Sequence, residues 1–334
     1  METIVGRAEC SGLFKVVLRN DKGEIKQESD WNNNLLLNHF FTFTSSQNNL
    51  FARVGTGTTP PTPADTGLAS PVGSVSANNV VSGSNVVSGN ATDGYMVEMS
   101  SRVFSWPLGA ITANISEFVL TNTDSASYTP FVRSLIKDSE GTPTTITVTA
   151  SDQLEIWWKL NKKWLGSTQM SDVTQSFTLN GVATDVTCKN FNPSELNNLN
   201  NFEYSVQPKV LVNGIRIKTL VTASAAVTAI TSGTSGTDLT DGVSGVSEQS
   251  SNYYSGFIAT NPSAGVAKIT KSHTFDLFSS AASSPMLGIV LDTYNSTAVI
   301  PARVIAALTF SPQFTKGADK VLTVAFSYTV SRAP

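Results

Sequence analysis

The sequence predicts an all-β protein made of two tandem antiparallel β-sandwich domains, the second a diverged duplicate of the first, with long Gly/Pro/Ser/Thr loops and very little helix. Three observations carry this prediction. Apolar and polar residues alternate with period two, turn residues break the runs roughly every 8–12 positions, and segments of the first half recur in order in the second. The chain has 334 residues with 40% apolar content, enough to bury a substantial core in each domain.

Taken in order, LFKVVLRN (13–20) sets Phe14, Val16 and Leu18 on one face and Lys15, Val17 and Arg19 on the other. DKG (21–23) reads as a turn and EIKQES (24–29) as the return strand of a hairpin. NNNLLLNHFFTF (32–43) predicts a short helix, with Asn at the cap and Leu35, Leu36 and Phe40 at helical spacing. TTITV (144–148) and QLEIWWKL (153–160) predict a strand pair joined by TASD, with Leu154, Ile156, Trp158 and Leu160 pointing one way. NPSELNNLNNF (192–202) is a second helix candidate, capped by Ser194 but rich in Asn. LTVAFSYTV (322–330) alternates Leu322, Val324, Phe326, Tyr328 and Val330 against small polar residues.

The internal echo divides the chain. SSRVFSWPLGAITANISEFVLT (100–121) lies without gaps on KSHTFDLFSSAASSPMLGIVLD (271–292), so Phe104 meets Phe275, Val119 meets Val290 and Leu120 meets Leu291. ASYTPFVRSLI (126–136) then lies near TAVIPARVIAAL (297–308), and QLEIWWKL falls opposite KVLTVAFSYTV. The expected domains are 1–165 and 166–334, joined near Leu165–Thr168. A smaller duplication, NVVSG at 79–83 and 85–89, reads as an exposed hairpin or arm.

Charged residues are only 14% of the chain, against roughly 25% in ordinary globular proteins. A net charge of −3 and a pI near 5.5 argue against nucleic acid as a partner. The densest basic patch, KLNKKW (159–164), reads as a solvated strand end. Cys10 and Cys188 offer no metal-ligand spacing. The start, METIVGRAEC, has no Sec-type pattern, and no apolar run reaches 18 residues, so no membrane span is expected. A particle assembled in the cytoplasm would reconcile an adhesin-like composition with the missing export signal.

Catalytic chemistry finds little purchase. His39, beside Phe40 and Phe41, and His273, in an alternating run, both read as structural. No nucleophile elbow, zinc-protease motif or phosphate loop occurs. Glu117 on the apolar run ISEFVL needs a partner, and Arg133 is the candidate for a structural ion pair. Adjacent Trp157 and Trp158 must face opposite sides of a sheet, making Trp157 the exposed aromatic candidate for a glycan or protein contact. No catalytic residue, metal site or cofactor is expected.

VGTGTTPPTPADTGLASP (54–71) is the least ordinary stretch. Its prolines block both ladder pairing and helix growth, and they reduce the entropy lost when the segment is fixed against a neighbour. Gly55, Thr58, Pro60, Pro61, Pro63 and Asp65 are therefore candidate subunit contacts in a loop spanning 55–71; a solvated Ω-like loop is the competing reading.

FARVGTGTTPPTPADTGLASPV (51–72), FSWPLGAITANISEFVL (104–120), RSLIKDSEGTPTTITVTASDQLEIWWKL (133–160) and the opening GLFKVVLRNDKGEIKQESDWNNNLLLN (12–38) together resemble structural proteins of tailed bacteriophages, in the tail, baseplate, collar and fibre-associated families. The resemblance covers about 12–160; the second half departs from it, lacking the Pro-rich loop. It implies a non-enzymatic virion protein of the tail, forming a ring or attachment platform (collar, baseplate or fibre anchor). The implied partners are further copies of itself and other virion proteins, tail fibres among them. A receptor-binding module for host glycan and a capsid decoration protein are the alternative expectations.

Overall fold

The computed structural model describes residues 4–42, 50–80, 86–90, 94–98, 101–164, 173–179, 182–191, 215–222, 246–254, 265–275, 285–293, 304–315 and 322–333. The described residues form an all-β protein whose main element is a curled antiparallel sheet. In the first half the strands are β1 (Ile4–Arg19), β2 (Ile25–Glu28), β3 (Asn32–Leu36), β4 (Phe51–Gly55), β5 (Pro71–Val80), β6 (Val86–Asn90), β7 (Gly94–Glu98), β8 (Arg102–Trp106), β9 (Ala113–Ile115), β10 (Glu117–Thr121), β11 (Val132–Leu135), β12 (Ile146–Val148) and β13 (Gln153–Trp164).

Eight of these close on themselves. The pairing runs β1–β3–β11–β10–β4–β5–β8–β13 and returns from β13 to β1, antiparallel at every step. Closure leaves no exposed edge among those strands, which removes the usual route to edge-to-edge association. The period-two pattern dictates what lies inside. Phe14 pairs with Trp158, Val16 with Ile156 and Leu18 with Leu154, and all six are buried. Phe14 meets Phe118 at 4.9 Å between ring centroids, and Phe131 meets Trp158 at 6.4 Å, so both sides of the ring supply one aromatic core. Burying each such side chain is worth about 1.5–3 kcal/mol.

Beyond β13 come β14 (Val173–Leu179), β15 (Val182–Phe191), β16 (Ile215–Thr222), β17 (Val246–Tyr254), β18 (Val266–Phe275), β19 (Pro285–Thr293), β20 (Val304–Thr315) and β21 (Leu322–Arg332). Six form a sheet ordered β14-β15-β20-β19-β16-β17. The other two cross the boundary expected at 165/166: β21 pairs in parallel with residues 4–10 of β1, and β18 pairs with β21. Arg332 fastens this junction. Its backbone N–H donates to Gly265 O (2.9 Å), Nε to Leu36 O (2.7 Å) and Nη2 to Asn38 Oδ1 (2.9 Å).

Several local expectations need correction. Residues 32–36 are strand, and only a 3-10 turn, Asn38–Thr42, follows. The cause is tertiary: β3 is needed between β1 and β11, which overrides a weak helical pattern. The helix candidate at 192–202 lies outside the described residues. β12 does not pair with β13; it pairs with β9, while β13 is shared by β1, β8 and β7. In KLNKKW, Lys162 is buried opposite Cys10, and burial pushes its amine down to about 8 while pushing the Cys10 thiol up to about 12. Only part of the NVVSG repeat is described: β5 runs to Val80, and β6 with β7 forms a hairpin.

Candidate functional site

Strand β10 is buried at every position, although only one of its faces looks into the core. Phe118 and Leu120 point inward; Glu117, Val119 and Thr121 therefore point out. Arg53 on β4 and Arg133 on β11 pair on either side of Val119, so two cations flank it on that outer face. Two loops roof this surface. One is the Pro-rich segment between β4 and β5, whose ends meet because Gly55 pairs with Pro71. The other links β10 to β11, where Asp124 O and Ser125 O accept from Arg53 Nη2 at 2.7 and 2.6 Å, and the guanidinium lies 4.4 Å from the Tyr128 ring centroid. The loops meet where Leu68 N–H approaches Tyr128 Oη at 3.5 Å.

Glu117 is the centre of the roof and has no exposed surface. Its Oε1 accepts from the backbone N–H of Gly57 (3.1 Å) and Ser70 (2.8 Å), at the two ends of the loop. Its Oε2 accepts from Ala69 N–H (3.2 Å) and from Arg133 Nε (3.2 Å) and Nη2 (2.7 Å). Arg133 continues outward, pairing with Asp65 and donating to Thr59 O (3.1 Å). Asp65 in turn accepts from Thr62 N–H at 2.9 Å and Thr62 Oγ1 at 2.5 Å. Pro63 O accepts from Asn38 N–H at 2.8 Å, tying the loop tip to the 3-10 turn.

The electrostatics follow from these contacts. Burial disfavours the charged guanidinium of Arg133, yet Asp65 and Glu117 outweigh it and hold the pKa above its ordinary value. Burial likewise opposes the charged form of Asp65, and the Thr62 and Arg133 contacts overcome it, so the carboxyl sits below the usual range. Space is as tight as charge. A Cβ on Gly57 would stand 2.6 Å from Ala69 Cβ and crowd Glu117, and one on Gly55 would stand 2.5 Å from Ser70 O. The glycines admit the carboxylate to the loop's backbone.

The candidate contact residues thus fall into two groups. Gly55 is buried, and Asp65 is turned toward Arg133. Thr58, Pro60 and Pro63 are exposed and Pro61 is half-buried, along a rim completed by Thr59, Thr62, Ala64 and Thr66. Arg53, Ser70 and Tyr128 were not singled out from sequence. Only the strand alternation at Arg53 pointed to the roofed face; nothing local marks the other two.

Trp157 lies on the opposite side of the ring and is half-buried. Its Nε1 donates to Glu155 Oε2 (2.9 Å), and Lys15 Nζ stands 5.2 Å from its ring centroid. Lys159 Nζ stands 4.3 Å from the Trp31 ring and pairs with Glu98 at 2.7 Å, while Arg19 pairs with Glu155 at 3.1 Å. The result is a ladder of alternating rings and charges. His39 is half-buried, and burial lowers its pKa; His273 belongs to β18, opposite Val324. Among the described residues, no group of His, Cys, Asp and Glu is arranged to hold a metal ion. No protein-family model, curated protein or solved structure matches the chain.

Proposed function

We propose that this chain is a non-enzymatic structural component of a tailed-phage particle, forming a ring or attachment platform on the tail through its loops. The observation that carries the reading is the exposed rim 58–66 held rigid from beneath by a buried carboxylate–guanidinium clamp. An interface gains from such an arrangement, because the ordering cost of the loop is met during folding and not at association. The rim is low in charge, rich in Thr and Pro, and demands little desolvation. The acid in the cluster has its oxygens committed to backbone and guanidinium donors, which suits a strut and not a proton-transfer group.

The reading includes a tandem duplication of one β-unit, and the strand order supports it. Label the first unit A to H in chain order as β1, β3, β4, β5, β8, β10, β11 and β13, and the second as β14 through β21. The first ring pairs A–B, B–G, G–F, F–C, C–D, D–E, E–H and H–A. The second repeats A–B, B–G, G–F, F–C, C–D and E–H, each antiparallel as before. In that correspondence Val119 meets Val290. Arg133, which pairs with Val119, then meets Ala307, which pairs with Val290; Glu117 meets Gly288. The Pro-x-Arg match in the sequence sets Arg303 opposite Arg133, but by strand register neither position of the ion pair is filled by an ionisable residue in the unit that lacks the Pro-rich loop. A buried pair kept or lost whole is the expected pattern, since either half alone is costly. The clamp therefore serves the loop.

Thr58 and Thr66 are exposed and contribute no side-chain bond to Glu117, Arg133 or Asp65, so Thr58→Lys with Thr66→Lys tests the rim and leaves the clamp in place. The double variant is expected to fold normally but to be lost from purified particles. Incorporation at the unmodified level would sink the reading.

A further inference from the structure

The two pairings missing from the second unit point to a partner. In the first ring, D and E (β5 and β8) pair antiparallel through residues 78–80 and 102–104. Their counterparts β17 and β18 do not pair with each other: β17 ends the six-stranded sheet and β18 ends the larger one. Among the described residues, one chain therefore carries two different free edges that its own wiring marks as complementary. The edges are nine and ten residues long, and neither contains proline. Such edges are templates for strand addition. β18 belongs to the larger sheet through β21, which is fixed on β1 by seven parallel residue pairs, by Arg332 and by Ala333 N–H to Cys10 O (2.8 Å).

We propose that β18 of one copy adds antiparallel to β17 of the next, restoring between chains the contact that β5 and β8 make within one. The contact is heterologous, head to tail, and repeated copies generate a closed ring where the rotation allows it. This rests on the duplication in the functional reading above and supplies its subunit contact.

The register follows strand by strand. Leu120 pairs with Ala52, and Ala52 with Ser76; the equivalent Leu291 pairs with Ile217, and Ile217 with Asn252. Two residues on, Asn78 corresponds to Tyr254. Asn78 pairs with Phe104, whose equivalent is Phe275, so Tyr254 of one copy stands opposite Phe275 of its neighbour.

The test places p-benzoyl-phenylalanine at position 254 of the full chain, an aromatic for an aromatic, and irradiates a mixture of nitrogen-14 and nitrogen-15 copies. The expected product is a covalent dimer whose cross-linked peptides carry different isotopes and join β17 to the end of β18. The unmodified chain is expected to sediment as an oligomer that dissociates on dilution. A cross-link confined to one chain overturns the exchange while leaving the duplication standing. A monomer with no cross-link at that position overturns it too, and leaves the rim variants to decide the functional reading separately.

Discussion

On the β10–β11 side of the ring, Glu117 is fully enclosed and the Arg133 side chain is 4% exposed; on the β1–β13 side, Lys15 and its partner Glu28 keep 22% and 38% of theirs. Both clusters use the same chemistry of carboxylates and cations on the outside of a sheet. They differ in whether water remains as an alternative partner. Around Glu117 it does not, so each donor is obligatory and the loop is bound to the strand that carries it. Along the Lys15–Trp157–Lys159–Trp31 ladder, a lost contact is replaced by solvent. The same kind of pair is thus a fixed joint in one place and an interchangeable surface in the other.

The largest effect expected from this contrast is Arg133→Met. It leaves Glu117 charged and enclosed, and should cost about 3–5 kcal/mol in urea unfolding at neutral pH. Glu117→Gln added to it should recover part of that loss, since the two are coupled. Lys15→Met, by comparison, should cost about 0–1 kcal/mol. Equal penalties at the two sites would break the comparison.

The two regions were also unequally legible in the sequence. The β1 and β13 faces could be read directly because the outward side of each strand is only partly covered, and the half-buried Lys15, Trp157 and Lys159 alternate with the buried Phe14, Val16, Ile156 and Trp158. In β10 both faces are covered, so EFVLT carries no alternation to read. Glu117 still marked itself as a buried charge that needs a partner. The loop's return onto Glu117 left no trace, because its anchors are the backbone N–H groups of Gly57, Ala69 and Ser70, which any residue but proline possesses. The pairing of β9 with β12, a separate two-stranded sheet outside the ring, joins segments some thirty residues apart and has no local signature.

Gly57→Ala sharpens the comparison from the steric side. The added methyl meets Ala69 and the Glu117 carboxylate, and should cost about 1–3 kcal/mol while leaving the ladder intact. Near-UV circular dichroism of the tryptophans should then stay unchanged as the denaturation midpoint falls. A change at the tryptophans would mean that the two regions are coupled.

Acid is a gentler probe of the joint. The folded pKa of Asp65 lies below its ordinary 3.8, so its contribution is present above that pH and is lost as pH falls through the lower folded value. Asp152, held down to about 2 by Lys26 and Thr149, behaves alike on the ladder side of the ring. Both Asp65→Asn and Asp152→Asn should therefore flatten the acid limb of the stability profile below pH 4, and only the first should increase proteolysis within 58–66. Cleavage there in both variants would show that Asp65 does not hold the loop.

Lys159→Ala is the smallest effect and the most diagnostic of mechanism. Lys159 has an ion pair to Glu98 and a position over Trp31, together worth about 0.5–1 kcal/mol at a partly wet site. At about 1 M salt the screening length shrinks to roughly 3 Å, and most of the ion-pair share should vanish while contact with the ring persists. The penalty for Lys159→Ala should accordingly drop by about half on going from low to high salt. The penalty for Arg133→Met should hold steady, because no ions reach Glu117 to replace the missing guanidinium. Parallel salt dependence at the two positions would mean that the roof admits solvent, and the loop would then lose the rigidity that makes its rim a contact surface.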